Sequence, residues 1–219
     1  MRKLILIGSG FHSKIVYEEI LKLKKYKVLG YVSNDDKKKH SFSKLKYLGK
    51  LEALNKLKYK DYFCVIAVGQ GNIREKIFNE TKKLKIKIKW EKIISKDSII
   101  SSNTKIGEGS IVVSGSIINI GTNIGKHCLI NTGSSIDHDN TFKDFSGCGP
   151  RTVTGGNVTI GERSYIGIGS VIKNNITIQE NTVIGASSLV LKNCKKNTIY
   201  FGHPAKEIRL LKKNENYLK

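Results

Sequence analysis

The sequence predicts an α/β unit built on a small parallel sheet with helices on both faces, followed by a solenoid of stacked short parallel strands. Three observations predict it. Over residues 94–190 one position in six is a large apolar residue, from Ile94, Ile100, Ile106 and Val112 to Ile178, Ile184 and Val190, with no register break and with Phe142, Cys148 and Thr154 in the same column. Helices repeat every 3.6 residues and strands every 2, so a sustained period of six marks stacked short strands. Four residues after each aliphatic stands Ser or Thr in twelve of sixteen units, small enough to share an interior with the large side chain. Before the repeats, apolar runs alternate with helical patterns, the signature of βαβ units.

In chain order, Lys3 to Gly8 reads as a buried strand, followed by a turn and a helix through Ile15, Val16, Ile20 and Leu23. A second strand fits Lys27 to Val32, a polar loop Asp36 to His40, and a short helix Leu51 to Leu57. The third strand is Tyr62 to Val68, a helix follows from Asn72 to Leu84, and Lys85 to Trp90 alternates as a last strand into the repeats. The first turn is an incomplete dinucleotide fingerprint: Gly8 and Gly10 are present, Ser13 stands at the third glycine, and the acids Asp35 and Asp36 come late. Ligands of such sheets bind at the carboxyl ends of the strands. Gly8, Ser9, Gly10, Phe11 and His12 would meet there with Ser33, Asn34 and Asp35, and with Gly69 and Gln70. That set favours a nucleotide or nucleotide-sugar over a redox cofactor.

Within the repeats, the residue after the aliphatic is Gly, Asn or Asp in ten of sixteen units, which points to a left-handed corner at that position. Ile136-Asp137-His138-Asp139 falls on the first four repeat positions, so Asp137 occupies the corner while His138 and Asp139 face outward. Eighteen residues, or three repeats, later come Gly155 and Gly156, whose bare backbone leaves room for a ligand. An outward imidazole beside a carboxylate is what acyl transfer to an amine or hydroxyl needs, because the nucleophile must lose a proton as it attacks. His127 reads as a second outward histidine, at the surface or in a subunit contact. With only these two histidines in the repeats, a three-histidine zinc site is not expected.

The formal net charge of +21 is unevenly placed. Residues 1–93 carry 24 Lys+Arg against 9 Asp+Glu, residues 94–190 carry 7 against 7, and residues 191–219 carry 8 against 2. Lys outnumbers Arg 34 to 5, whereas bidentate reading of phosphates and bases favours Arg, so nucleic-acid binding is not expected. The four cysteines form no CxxC pair, and Cys128 and Cys148 fall on inward positions. No apolar run is long enough to span a bilayer or to serve as a secretory signal, so the cytoplasm is expected. The expected divisions are 1–93 for the substrate-binding unit, 94–191 for the solenoid and 192–219 for a cap and a frayed tail. The cap holds a short amphipathic helix with Ile208 and Leu211.

The repeat resembles the hexapeptide repeat of left-handed parallel β-helix acyltransferases. Asn131 to Asp139, then Gly156-Asn157-Val158-Thr159-Ile160-Gly161, and the closing Gly202-His203-Pro204-Ala205-Lys206 resemble the bacterial sugar acetyltransferases that join a Rossmann-like domain to such a helix. That family contains sugar-nucleotide amine N-acetyltransferases and sialic acid O-acetyltransferases. The resemblance implies triangular coils of 18 residues, a little over five of them here. It also implies acetyl-CoA as co-substrate and a homotrimer with the cofactor between subunits. His138 would be the general base, with Asp139 raising its basicity, and His12 would lie at the mouth of the sugar-nucleotide site. Cofactor contacts would fall near Gly147, Gly156, Ile168, Gly185 and Ala186. Some members have a histidine where this chain has Gly147, and a Glu where it has Asp139. The expected activity is N-acetylation of a nucleotide-linked amino sugar. O-acetylation of a sialic acid or other sugar and a non-catalytic trimeric scaffold are the alternatives.

Overall fold

The central strand of the N-terminal sheet is β1 (Arg2–Ile7), flanked by β2 (Tyr26–Val32) and then β3 (Tyr47–Gly49) on one side. On the other side lie β4 (Phe63–Ile66) and β5 (Lys89–Trp90), all parallel. This is a computed structural model, describing residues 1–35, 42, 44–56, 61–212 and 215–218; the expected loop 36–40 and Leu57 lie outside them. A parallel sheet covered on both faces needs an unbroken apolar run. Accordingly Leu4 and Leu6 pack with Val16 and Ile20 of α1 (Phe11–Lys22) and with Ile93, Ile111 and Leu129 of the repeats. Ile5 and Ile7 pack with Leu51 and Leu54 of a 3-10 turn and with Ile77 and Phe78 of α2 (Gly71–Thr81). β3 was not foreseen, and the run expected from Lys85 is a strand only at Lys89–Trp90.

The repeats form a three-sided parallel β-helix. Each strand is two residues long and pairs in parallel with the strand 18 residues on, as in Ile99, Ile117, Ser135, Val153, Val171 and Leu189. These six strands make one face, a second face has five, and the third joins an eight-stranded sheet with the C-terminal hairpin. The interior is the aliphatic column, with Ile118, Ile130, Ile136, Cys148, Ile160 and Ile166 fully buried. The small column lies beside it; Ser110, Ser116 and Ser170, for example, donate to the carbonyls of Gly125, Asn131 and Gly185 on the next coil.

The left-handed corner sits two residues later than expected. Positive φ occurs at the third residue after the aliphatic, as in Gly109, Gly121, His127, Asp139, Asn157 and Arg163. Glycine directly after the aliphatic answers a different constraint: a Cβ on Gly107 or Gly167 would lie 2.5 Å from backbone atoms of the neighbouring coil. Beyond the prism, the expected amphipathic helix is instead a strand. Ala205–Leu210 pairs antiparallel with Thr198–Gly202, which itself extends the Val183–Ile184 edge. Ile208 and Leu210 are exposed, so no apolar face pulls this segment into a helix while an open sheet edge offers it hydrogen bonds. Among the described residues no helix is long and apolar enough to cross a membrane.

One side chain locks the two parts together. Arg74 of α2 is 1% exposed, and all five of its N–H groups are used. Within its own unit it donates to the carbonyls of Val68 and Gly69; across the junction it donates to His127 O at 2.8 Å, Phe145 O at 2.8 Å and Ser146 O at 2.9 Å. Gly71 is pressed so closely on the repeats that a Cβ would lie 2.3 Å from Phe145 O. His127, expected outward, is fully buried here. It does point away from the prism axis, but the N-terminal unit covers that face. Its ring stacks on Phe145 at 5.4 Å and meets Phe78 and Trp90, each at 4.7 Å between centroids. Burial, with Arg74 nearby, pushes its pKa down to about 4, and among the described residues neither ring nitrogen has a hydrogen-bond partner.

Replacing Arg74 with Met should cost about 3 kcal/mol or more in urea denaturation, since three buried and two part-buried carbonyls lose its donors. His127 stays neutral when folded but takes a proton when unfolded, so stability should fall as pH drops from about 6.5 towards about 4. His127→Phe, which keeps the aromatic packing, should flatten part of that slope.

Candidate functional site

Two places carry chemistry. The first is a cavity of about 590 Å³ at the carboxyl edge of the N-terminal sheet. It gathers all the residues expected there: Gly8 to His12 after β1, Ser33, Asn34 and Asp35 after β2, and Gly69 and Gln70 after β4. Ser9 Oγ donates to Ser33 Oγ at 2.9 Å, and Ser33 Oγ lies 3.1 Å from Asp35 Oδ2. Asn34 Oδ1 accepts from the Leu51 N–H and so positions the 3-10 turn rather than facing a ligand freely. Phe11 opens the helix at the mouth, 82% exposed. His12 is the opposite case. Burial, then Arg74, pushes its pKa down to about 4, so the ring is neutral near pH 7, and its Nε2 is buried without a partner among the described residues.

Sequence reasoning missed the far wall. Leu129, Asn131 and Tyr165 of the prism line the cavity, as do Asn216 and Leu218 of the tail. Nothing in the N-terminal motifs signals which prism face will close over them. Residues 215–218, expected to be frayed, lie against this edge: Gln70 Nε2 donates to Glu215 O at 2.7 Å and the Gly71 N–H to Tyr217 Oη at 3.3 Å.

The second place is the corner after Ser135–Ile136. His138 Nδ1 lies 2.8 Å from Asp139 Oδ2, with both side chains more than half exposed. The loop under them is fixed by Asp137, whose Oδ1 accepts from the His138 N–H at 2.8 Å and from Asn119 Nδ2 at 3.0 Å. The buried Asn140 amide donates to the carbonyls of Asp137, His138 and Gly155. Glycines on the adjacent coils accommodate both side chains. A Cβ on Gly156 would lie 2.4 Å from His138 Cε1 and Nε2, and one on Gly121 would lie 2.2 Å from Asp139 Oδ1. Because a carboxylate only accepts, the neutral ring carries its proton on Nδ1 and leaves Nε2 as the base. The Asp139 hydrogen bond, aided by the charge of Asp137, raises the His138 pKa above 6.5.

The residues expected around a cofactor do not share one location. Gly156 underlies His138, while exposed Ile168 and Ala186 and half-buried Gly185 lie one prism face away, on the corner that also carries Gly149 and Gly167. The Gly147 expectation is corrected: it is buried beneath the N-terminal unit, where a Cβ would lie 3.4 Å from Arg74 Nη2, and offers no open surface. His138 is not among the residues lining the N-terminal cavity. Among the described residues no cluster of three or more His, Cys, Asp or Glu is placed to hold a metal ion. In an NMR titration, Asp139→Asn should lower the His138 pKa back towards 6.5.

Comparison with known proteins follows this division. Residues 3–81 match the family model of the PglD N-terminal domain, and residues 149–192 match that of the bacterial transferase hexapeptide repeats. PerB from Caulobacter crescentus, solved in complex with CoA and GDP-perosamine, is 26% identical over 95% of this chain and 98% of its own, with a TM-score of 0.87. The acetyltransferase domain of PglB from Neisseria gonorrhoeae, solved with acetyl coenzyme A, is 29% identical over 94% of this chain and 99% of its own, with a TM-score of 0.86. WeeI from Acinetobacter baumannii, at 20% identity, 95% and 100% coverage and a TM-score of 0.85, shares the fold. No curated protein sequence matches the chain. The chain thus joins a PglD-type N-terminal domain to hexapeptide repeats wound as a left-handed β-helix, and over nearly its whole length it is similar to solved acetyltransferases.

Proposed function

We propose that this protein transfers an acetyl group from acetyl-CoA to the amine of a nucleotide-linked sugar, as a cytoplasmic homotrimer with His138 as general base. The observation that carries the reading is the Asp139–His138 pair on an open corner, where among the described residues no hydrogen bond engages Nε2. In the proposed step, Nε2 takes the proton as the amine attacks the thioester carbonyl; the C–N bond forms, the C–S bond breaks, and the thiolate leaves. A thiol pKa of about 8.5 makes that departure easy, so one base suffices. The cavity at the sheet edge is large enough for a nucleotide-linked sugar, and PerB was solved with such a ligand and CoA.

The trimer is supported by the six-stranded face, where Ile99, Ile117, Val153 and Val171 form an exposed aliphatic stripe. The separation of His138 from the cavity within one chain points the same way, because a neighbouring chain would bring a cleft to the corner. O-acetylation would use the same base on a hydroxyl; the nucleotide-sized cavity favours the amine of a nucleotide-linked acceptor.

His138→Ala should lower turnover by ~10²-fold or more with an unchanged melting temperature. Undiminished turnover would remove the residue from the mechanism. The acidic limb of the kcat/KM profile should lie above pH 6.5, since the base acts unprotonated, and should move to lower pH in Asp139→Asn. In a thermal-shift panel of UDP-, GDP-, dTDP- and CMP-sugars, a true acceptor at 100 times its Kd should stabilise by about 2.7 kcal/mol. A shift with free sialic acid alone would favour O-acetylation.

A further inference from the structure

Four observations converge on the C-terminal tail. Asn216 and Leu218 line the N-terminal cavity, and Leu218 packs so near Gly69 that its Cδ1 would touch an added Cβ at 3.2 Å. Tyr217 accepts from the Gly71 N–H, the first of α2, and its ring lies 5.7 Å from that of Tyr165 on the prism. Glu215 is held by Arg209 through two contacts of 2.9 and 2.6 Å, which ties the tail to the terminal hairpin. The Glu215 carbonyl in turn fixes the Gln70 amide.

That last contact settles an orientation. A backbone carbonyl only accepts, so the Gln70 Nε2 must face Glu215 and the Oε1 must face the other way. Gln70 is buried, lines the cavity, and its Oε1 has no hydrogen-bond partner among the described residues. An unmet buried acceptor costs free energy unless a ligand supplies the donor. The tail leaves a cavity of about 590 Å³ beside itself, so it builds a wall and does not fill the space.

We propose that residues 215–218 form part of the acceptor site, with Leu218 and Asn216 as its wall and Glu215 setting the Gln70 carboxamide to accept from a hydroxyl or amine of the acceptor. The inference rests on the acceptor reading above and adds a specificity element from outside the N-terminal unit. It makes Gln70 a residue positioned by the tail.

The test compares the full chain with one ending at Lys212, with Leu218→Ala, with Gln70→Ala and with Gln70→Ala in the shortened chain. GDP-perosamine, dTDP-4-amino-4,6-dideoxyglucose and a UDP-linked amino sugar serve as probes, with binding read by calorimetry and turnover by thiol release. Shortening should weaken binding and raise the acceptor KM about tenfold, while the acetyl-CoA KM and the kcat at saturating acceptor stay within about twofold. Leu218→Ala, which leaves the Tyr217 contacts in place, should show a smaller rise in the same parameter. Shortening a chain that already carries Gln70→Ala should add only a rise of the size seen with Leu218→Ala, the share of the wall alone. Equal binding by full and shortened chains would overturn the proposal and leave the acceptor reading intact, and tighter binding by the shortened chain would make the tail an obstruction, which also overturns it. A full chain that binds none of the probes would contradict both.

Discussion

The arrangement depends on one buried guanidinium. Arg74 has no carboxylate beside it among the described residues; its charge is spread over five backbone carbonyls, three of them on the prism. Carbonyls are fixed dipoles on rigid backbone, so this anchor sets a position in a way that a flexible surface ion pair does not. It lies one turn into α2, the helix whose start carries Gln70 and Gly71. Fixing Arg74 therefore fixes the cavity edge against Tyr165 and Leu129, and the same positive charge helps keep His12 and His127 neutral. Arg74 thus contributes to docking, beside the apolar packing of Leu4 and Leu6 on Ile93, Ile111 and Leu129, and also to the electrostatics of the site.

The prism contributes a different kind of order. Its coils repeat so regularly that side chains 18 residues apart stack in columns, and a functional group can be accommodated by choosing the residue directly above or below it. His138 stands over Gly156, and Asp139 stands beside Gly121. The acid–base pair is placed by backbone that repeats every coil, and needs no flexible loop to hold it. The neutrality of this segment, set against the basic N-terminal unit, means that the local charges at the corner come mainly from Asp137 and Asp139.

Much of this was legible in the sequence because period six admits few structures. The inward column, the outward His138 and the convergence of the Gly8, Ser33 and Gly69 turns all follow from local patterns. What was misread depends on contacts between distant parts. His127 sits on an outward position of its repeat, yet a second domain lies on that face and turns it into core. Gly147 was matched to a cofactor contact, while Arg74, 73 residues earlier, occupies the space beside it. Ile208 and Leu211 are spaced for a helix, but the open edge at Thr198–Gly202 recruits the segment as a strand. The left-handed corner was assigned to the glycine column, where the constraint is close approach of coils. The tail carries no motif, and only its contacts with Gln70 and Gly71 reveal where it goes.

In the proposed reaction, the acceptor bound at the sheet edge of one chain is deprotonated by the His138 imidazole on the corner of another. A crystal structure with CoA and a nucleotide-linked amino sugar bound tests it most directly, by the distance from the sugar amine to His138 Nε2. The account predicts hydrogen-bond reach, about 2.6–3.2 Å, to His138 of a neighbouring chain, with the nucleotide beside Ser33 and Asp35. An amine lying far from every His138, or a nucleotide bound away from the sheet edge, would contradict it.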